Sequence, residues 1–259
     1  MKYRYFIILS YKGTRYNGWQ IQPNGVTIQG ILNEKISLLL GEEINLTGAG
    51  RTDSGVHASG FVAHFDTKHT GLDKDSKFIF RINNFLPPDI AIHSVIPVTA
   101  EAHARFDATE RTYKYHILTE KDPFKNEFCW LIQYPLDINK MNQAAEMLFC
   151  YLDFTSFSKL HTDVKTNNCT IKNAIWEKNG NELIFTISAN RFLRNMVRAI
   201  VSTLVDIGRN KIGIEDFKNI IESRDRSRAS ASAPAHGLHL IAIEYPETIF
   251  PPGQYLRST

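Results

Sequence analysis

Apolar and polar positions along this chain follow two periods in turn, and each period predicts an element. Tyr3-Arg4-Tyr5-Phe6-Ile7-Ile8-Leu9-Ser10 is a short apolar run of strand length. From Thr27 to Leu40, Ile28, Ile31, Leu32, Ile36, Leu39 and Leu40 recur at helical spacing. Strand-like Ile44 and Leu46 precede a glycine-rich stretch, and Phe61, Val62, His64 and Phe65 follow it. A short helix is expected over Phe78 to Asn84, closed by Pro87-Pro88, and an alternating strand over Ile90 to Val98. The style then repeats. Arg111 to Thr119 reads as a strand and Ile138 to Cys150 as a helix. Ile171 to Lys178 and Glu182 to Ala189 form a hairpin around Asn179-Gly180-Asn181. Leu193 to Ile207 reads as a helix closed near Gly208, Ile214 to Ser223 as another, and Leu238 to Tyr245 as a last strand. The pattern predicts two α+β halves, residues 1–104 and 105–259, meeting near residues 99–110. No low-complexity linker separates them, so one shared sheet is expected, with a ligand cleft where the halves join.

The glycine-rich stretch is Gly50-Arg51-Thr52-Asp53-Ser54-Gly55-Val56-His57-Ala58. Gly48, Gly50, Gly55 and Gly60 fall within thirteen residues, which suits a tight loop presenting a side chain. Asp53 would then stand on a loop held by strands, where functional residues concentrate. Taken alone, the string also suits a turn whose Asp bonds its own backbone.

The helix after Ala189 is apolar round most of its circumference, with Leu193, Val197, Ile200, Val201 and Leu204 as its stripe, so it is a core helix. Arg191, Arg194 and Arg198 fall at i, i+3 and i+7 on one face of it. A buried guanidinium is costly unless paired. Either Arg198 meets a carboxylate of the other half, with Asp53 the best candidate, or it snorkels to the surface. In Arg111-Thr112-Tyr113-Lys114-Tyr115-His116, Tyr113 and Tyr115 share one strand face. Two core tyrosines or an aromatic that stacks on a flipped nucleobase both fit.

Composition narrows the class. The 259 residues are 43% hydrophobic and 22% charged, an ordinary globular balance. No apolar run reaches the roughly 20 residues of a membrane helix, and the apolar N-terminal run is too short for a signal sequence, so a cytoplasmic protein is expected. Cys129, Cys150 and Cys169 are odd in number and widely spaced, as free thiols would be. The nine histidines show no metal-ligand spacing, and no metal is expected. Net charge is only +3, but residues 159–228 hold thirteen Lys or Arg against eight Asp or Glu. That excess suits a phosphate-backbone partner and equally a solvated surface. The loop from Arg224 to Pro234 is small, polar and basic, either mobile near a substrate or plain surface. Tyr245, Ile249, Phe250 and Tyr255 read as core cover rather than as a dimer contact.

At these residues the chain resembles the tRNA pseudouridine synthase A (TruA) family. The resemblance runs through five motifs in order: Tyr11 to Gln20, Gly50 to Ala58, Phe106-Asp107-Ala108 with Arg111 to Tyr115, Phe192 to Arg198, and Ala233 to Leu238. Ser54 departs from the family's usual Ala. The resemblance implies an α+β pseudouridine synthase fold, with two RNA-recognition-like halves, a mostly antiparallel sheet and a central cleft. It implies that Asp53 is the catalytic nucleophile, Arg198 its partner and Tyr113 the residue that stacks on the target uracil and could assist proton removal from C5. Arg51, Arg191 and Arg194 would bind substrate. The substrate would be the tRNA anticodon stem-loop at uridines 38, 39 and 40, bound by a homodimer without cofactor. Two other functions compete. An RNA-binding module would have no need of a lone carboxylate facing phosphate. A hydrolase built on Asp53-Ser54 and His57 lacks a nucleophile elbow.

Overall fold

The computed structural model describes residues 1–75, 77–159 and 166–252. They form two compact units, one of residues Met1–Thr109 joined by the chain from Leu240, the other of Glu110–His239. In the first unit β1 (Tyr3–Tyr11) leads to α1 (Ile28–Leu40), β2 (Thr47–Gly48), β3 (His57–Thr67), α2 (Phe78–Phe85) and β4 (Ile90–Pro97). β1 pairs antiparallel with β3, from Tyr3↔Thr67 to Leu9↔Phe61, and with β4, from Tyr5↔Pro97 to Tyr11↔Ile90. The short β2 adds to β3.

Side-chain chemistry sets the ends of these elements. Thr27 caps α1 by accepting from the Gly30 N–H at 3.3 Å, and Gly41, at φ +68°, stops it in the left-handed region. Ile44 and Leu46 read as strand, yet the strand begins only at Thr47. Their backbone groups bond to α1 side chains instead. The Ile44 N–H donates to Ser37 Oγ at 2.8 Å, the Leu46 N–H to Asn33 Oδ1 at 2.9 Å, and Gln29 Nε2 to the Leu46 carbonyl at 2.8 Å. Phe6, Ile7, Leu9, Phe61, Phe65 and Phe78 form the buried core of this unit.

The second unit runs β5 (Glu110–Leu118), β6 (Trp130–Leu131), α3 (Ile138–Glu146), β7 (Ile171–Asn179), β8 (Glu182–Ala189), α4 (Met196–Gly208) and α5 (Ile214–Ser223). β8 lies between β5 and β7 and is antiparallel to both. Gly180, at φ +61°, turns the β7–β8 hairpin. α3 stops earlier than its pattern suggests, because Met147–Cys150 tightens into a 3-10 turn.

β9 (Leu238–Glu244) carries the chain back to the first unit, where its later residues lie beside β3. The residues from 240 therefore do not stay with the second half, as the split at 104/105 supposed. The Thr109 N–H donates to the Glu244 carbonyl at 2.9 Å. Tyr245 and Phe250 set their rings 5.0 and 6.1 Å from Phe6. Ile249 and Phe250 are buried, which fits core cover, while Tyr255 lies outside the described residues. Among the described residues, no helix is long and apolar enough to cross a membrane.

The same device closes the outer strand of each unit. Asn83 of α2 accepts from the Ile92 N–H and donates to the Ile92 carbonyl, both at 2.8 Å. Asn142 of α3 does the same for Trp176, at 2.7 and 3.0 Å. A helix side chain thus stands in for a missing strand neighbour and satisfies groups an edge would leave open.

Candidate active site

Asp53 stands on the loop between β2 and β3, half-buried, between exposed Arg51 and Ser54 and the buried Thr52 and Val56. Residues 11–19 wrap that loop from outside. Tyr11 Oη and Thr52 Oγ1 share a hydrogen bond of 2.9 Å. The Trp19 N–H donates to the Thr52 carbonyl at 3.3 Å, and Ser54 Oγ to the Tyr16 carbonyl at 3.0 Å. The Gly13 N–H donates to His57 Nδ1 at 3.1 Å. Within the loop the Val56 N–H donates to the Asp53 carbonyl at 3.2 Å.

Two glycines make this wrap possible. Gly18 sits at φ +80°, and a Cβ there would lie 2.3 Å from the Thr52 carbonyl oxygen. A Cβ on Gly13 would lie 2.0 Å from the Val56 carbonyl oxygen. Of the glycines singled out in the sequence, Gly55 is at φ +80° and Gly48 admits the Trp19 ring, whereas Gly50 faces open space. The first motif therefore serves as a backbone mould for Asp53, a role that spacing alone did not reveal.

In the second unit Tyr113 is half-buried on β5 opposite Ile187, with its ring 5.3 Å from Phe192 in a T-shaped contact. Tyr115 is a core residue. It is fully buried and donates to the Pro234 carbonyl at 2.8 Å, and burial holds its phenol protonated far above the ordinary range. Gly237 exists to admit that ring, since its Cβ would lie 2.6 Å away.

Arg198 lies in the first turn of α4, half-buried among buried neighbours, and its Nε donates to the Ala233 carbonyl at 2.7 Å. The shared arginine face is not present. α4 begins at Met196, so Arg191 and Arg194 lie ahead of it on the connection from β8. Asn195, at φ +68° and ψ 1°, breaks the helix there, a conformation asparagine tolerates better than most residues. Arg194 is exposed and Arg191 half-exposed.

A sequence-family model for tRNA pseudouridine synthases matches residues 7–107 and 144–246, which hold both the Asp53 loop and α4. The chain belongs to the tRNA pseudouridine synthase family. It is 52% identical over 251 residues to a protein of Parabacteroides distasonis named tRNA pseudouridine synthase A, covering 96% of this chain and 98% of that one. A protein of the same name from Bacteroides fragilis is 54% identical over 248 residues, covering 95% and 98%. One from Thermoanaerobacter pseudethanolicus is 41% identical over 241 residues, covering 92% and 98%. Membership makes the chain an isomerase that converts uridine in tRNA to pseudouridine.

Ser54 and His57 do not form a hydrolase pair: the serine donates to Tyr16, and the buried His57 turns its Nδ1 to the Gly13 N–H. His116, Cys129 and Glu182 bring ligand atoms within 4.8 Å of one another, from three distant points in sequence. Glu182 there accepts from Lys125 Nζ at 2.9 Å and bonds His116 Nδ1, so an ammonium already neutralises it. Burial raises the carboxyl of Glu182, but the His116 and Lys125 hydrogen bonds outweigh it and hold the group below its usual range. Burial pushes the Cys129 thiol up to about 11. Part of the basic excess is matched locally: Lys172 pairs with Glu110, Lys211 with Asp206 and Arg224 with Asp153. The three cysteines are free.

Proposed function

We propose that this synthase isomerises uridines 38, 39 and 40 in the anticodon stem-loop of tRNA, with Asp53 as the catalytic carboxylate. In this reading the C1′–N1 glycosidic bond breaks, the uracil turns, and a C1′–C5 bond forms while C5 gives up its proton to solvent and N1 takes one up. Substrate and product are isomers, so the chemistry calls for no redox cofactor. Arg198 pairs with Asp53 and keeps it ionised beside an anionic backbone. Tyr113 stacks on the uracil once it has left the helix, offsetting an unstacking cost of a few kcal/mol. Arg51, exposed two residues before Asp53, contacts the flipped nucleotide, and Arg191 and Arg194 contact phosphate from the β8–α4 connection. The protein works as a homodimer in the cytoplasm, where tRNA is.

The observation that supports this most directly is the moulded loop. Backbone and side-chain bonds from residues 11–19 fix the peptides on both sides of Asp53 while leaving that side chain half-exposed. The test is tritium release from C5-tritiated uridine in unmodified tRNA, wild type against Asp53→Asn, followed by mapping of the modified positions. Release by wild type, confined to positions 38–40, and none by a variant that still binds tRNA is the expected result. No release by either protein, with tight tRNA binding, would establish a binding module instead.

A further inference from the structure

The segment Ala229-Ser230-Ala231-Ser232-Ala233-Pro234, part of the stretch whose sequence suits a mobile segment near a substrate or a plain surface loop, is laced along α4 bond by bond. Ser230 Oγ donates to Asp206 Oδ2 at 2.7 Å, and the Ser230 N–H to Thr203 Oγ1 at 3.3 Å. Ser202 Oγ donates to the Ala231 carbonyl. Asn195 Nδ2 donates to Ser232 Oγ, which also accepts from Arg226 Nη2 at 3.2 Å. Arg198 and Ala233 then exchange two bonds: guanidinium Nε to the Ala233 carbonyl at 2.7 Å, and the Ala233 N–H to the Arg198 carbonyl at 3.1 Å. The helix positions 198, 202 and 206 recur at i+4, so they form one stripe, and Asn195 meets the strap from the residue just ahead of the helix. Small residues alternate along the strap and let it lie close, with Ala229 and Ala233 buried.

One detail has no structural need. Asn195 is the N-cap of α4, a position where an asparagine side chain ordinarily accepts from the helix's first N–H groups, worth about 1 kcal/mol. Here it makes no such cap, takes a left-handed backbone, and turns its amide sideways onto Ser232. What that bond secures is the residue next to Ser232, whose carbonyl holds Arg198 Nε. A guanidinium held at Nε has its plane restrained, and with it the direction of the Nη1–Nη2 fork.

We infer that Asn195 and Ser232 are positioning residues: their hydrogen bond clamps the strap so that Ala233 aims the Arg198 guanidinium. The inference rests on the role proposed for Arg198. Neither residue touches substrate in this account, so their loss leaves tRNA binding intact and slows the chemical step.

Asn195→Gly keeps the left-handed backbone available and removes the side chain with its amide; Ser232→Ala removes the hydroxyl, and Ser232→Thr retains it. Each deletion is expected to lower kcat roughly 10- to 100-fold with KM unchanged, as small misplacements of a catalytic group do. The double variant should fall no further than the worse single one, and Ser232→Thr should restore most of the rate. Arg198→Ala, measured alongside, separates the two ideas. If Arg198→Ala retains the wild-type kcat, the role of Arg198 is wrong and the inference falls with it. If Arg198→Ala is crippled while both clamp variants turn over normally, or if their losses multiply in the double variant, the clamp alone is overturned. Should Asn195→Gly fail to fold, Ser232→Ala and Ser232→Thr decide the matter.

Discussion

The two units hold their principal charged residues by opposite means. In the first, Asp53 stands on a loop whose position is cast by backbone. Glycines at 13 and 18 let residues 11–19 come against the loop peptides closer than any side chain allows. In the second, Arg198 stands on a helix, and side chains hold it in place: Asn195, Ser202, Thr203 and Asp206 lace a strap whose Ala233 carbonyl takes the guanidinium. The difference follows from the groups held. A carboxylate has a short side chain, so its backbone must be placed. A guanidinium swings on a long stem, so its far end must be caught. Both solutions use a left-handed residue: Gly18, where a Cβ would clash, and Asn195, where the amide is needed.

The comparison breaks most sharply at Gly18. Gly18→Ala puts a methyl 2.3 Å from the Thr52 carbonyl oxygen and forces alanine to φ +80°. The loop must shift, and Asp53 with it. We expect a loss of about 2 kcal/mol or more in stability and a fall in kcat on the order of 100-fold, with tRNA affinity nearly kept. A melting curve and tritium release measured together check this. A variant that melts lower yet turns over normally would mean that the mould supports folding and does not aim Asp53.

Much of this was legible beforehand, and the gaps have particular causes. α1 and α5 follow their apolar period almost to the residue, because burial on one face is what formed them. The β7–β8 hairpin was evident from Gly180. The apolar spacing extends α4 back to Leu193, whereas the helix begins at Met196. A single left-handed residue ends that helix, and periodicity does not register backbone handedness. The error carried Arg191 and Arg194 onto a face they do not share. The strap's sequence leaves a mobile segment and a plain surface loop equally open, because its bonds run from small residues to residues 24 to 37 positions away in sequence. The glycines around Asp53 point to a loop that presents it, but which glycine does what depends on contacts with residues 11–19, and no local pattern carries those.

The two helix asparagines allow a direct comparison of the units as folding bodies. Asn83→Ala leaves the Ile92 N–H and carbonyl of β4 without their partner, and Asn142→Ala does the same for Trp176 of β7. Each should cost about 1–3 kcal/mol, as loss of a partner to partly buried polar groups does. If each unit has its own stability, hydrogen exchange will rise mainly in the unit carrying the variant. Equal rises in both units from either variant would mean that the chain unfolds as one body.

The smallest effect distinguishes the units by their response to acid. His64 of β3 is buried and accepts the Ala104 N–H at 3.1 Å through Nδ1, so it is held neutral. Burial first, then the Arg4 and His103 charges, depress its pKa from 6.5 to about 4. In the unfolded chain the same ring takes up a proton below about 6.5. Between these values the unfolded state binds more protons, so stability falls as pH drops from about 6.5 towards about 4, by at most one proton's worth, about 1.4 kcal/mol per pH unit. Glu182 of the second unit works in a lower window. Its carboxyl is held below the ordinary glutamate value of 4.5 by the His116 and Lys125 hydrogen bonds, so its contribution is present above that pH and lost as pH falls beneath it. Mild acid at pH 5.5 should therefore loosen the first unit while leaving the Glu182 contribution whole. The measurement is the pH dependence of denaturant midpoints for wild type and His64→Gln. The variant should begin less stable at pH 7.5 and show a shallower decline between pH 6.5 and 5. An unchanged slope would mean that His64 is already charged in the folded state, and that the acid response of the first unit arises elsewhere.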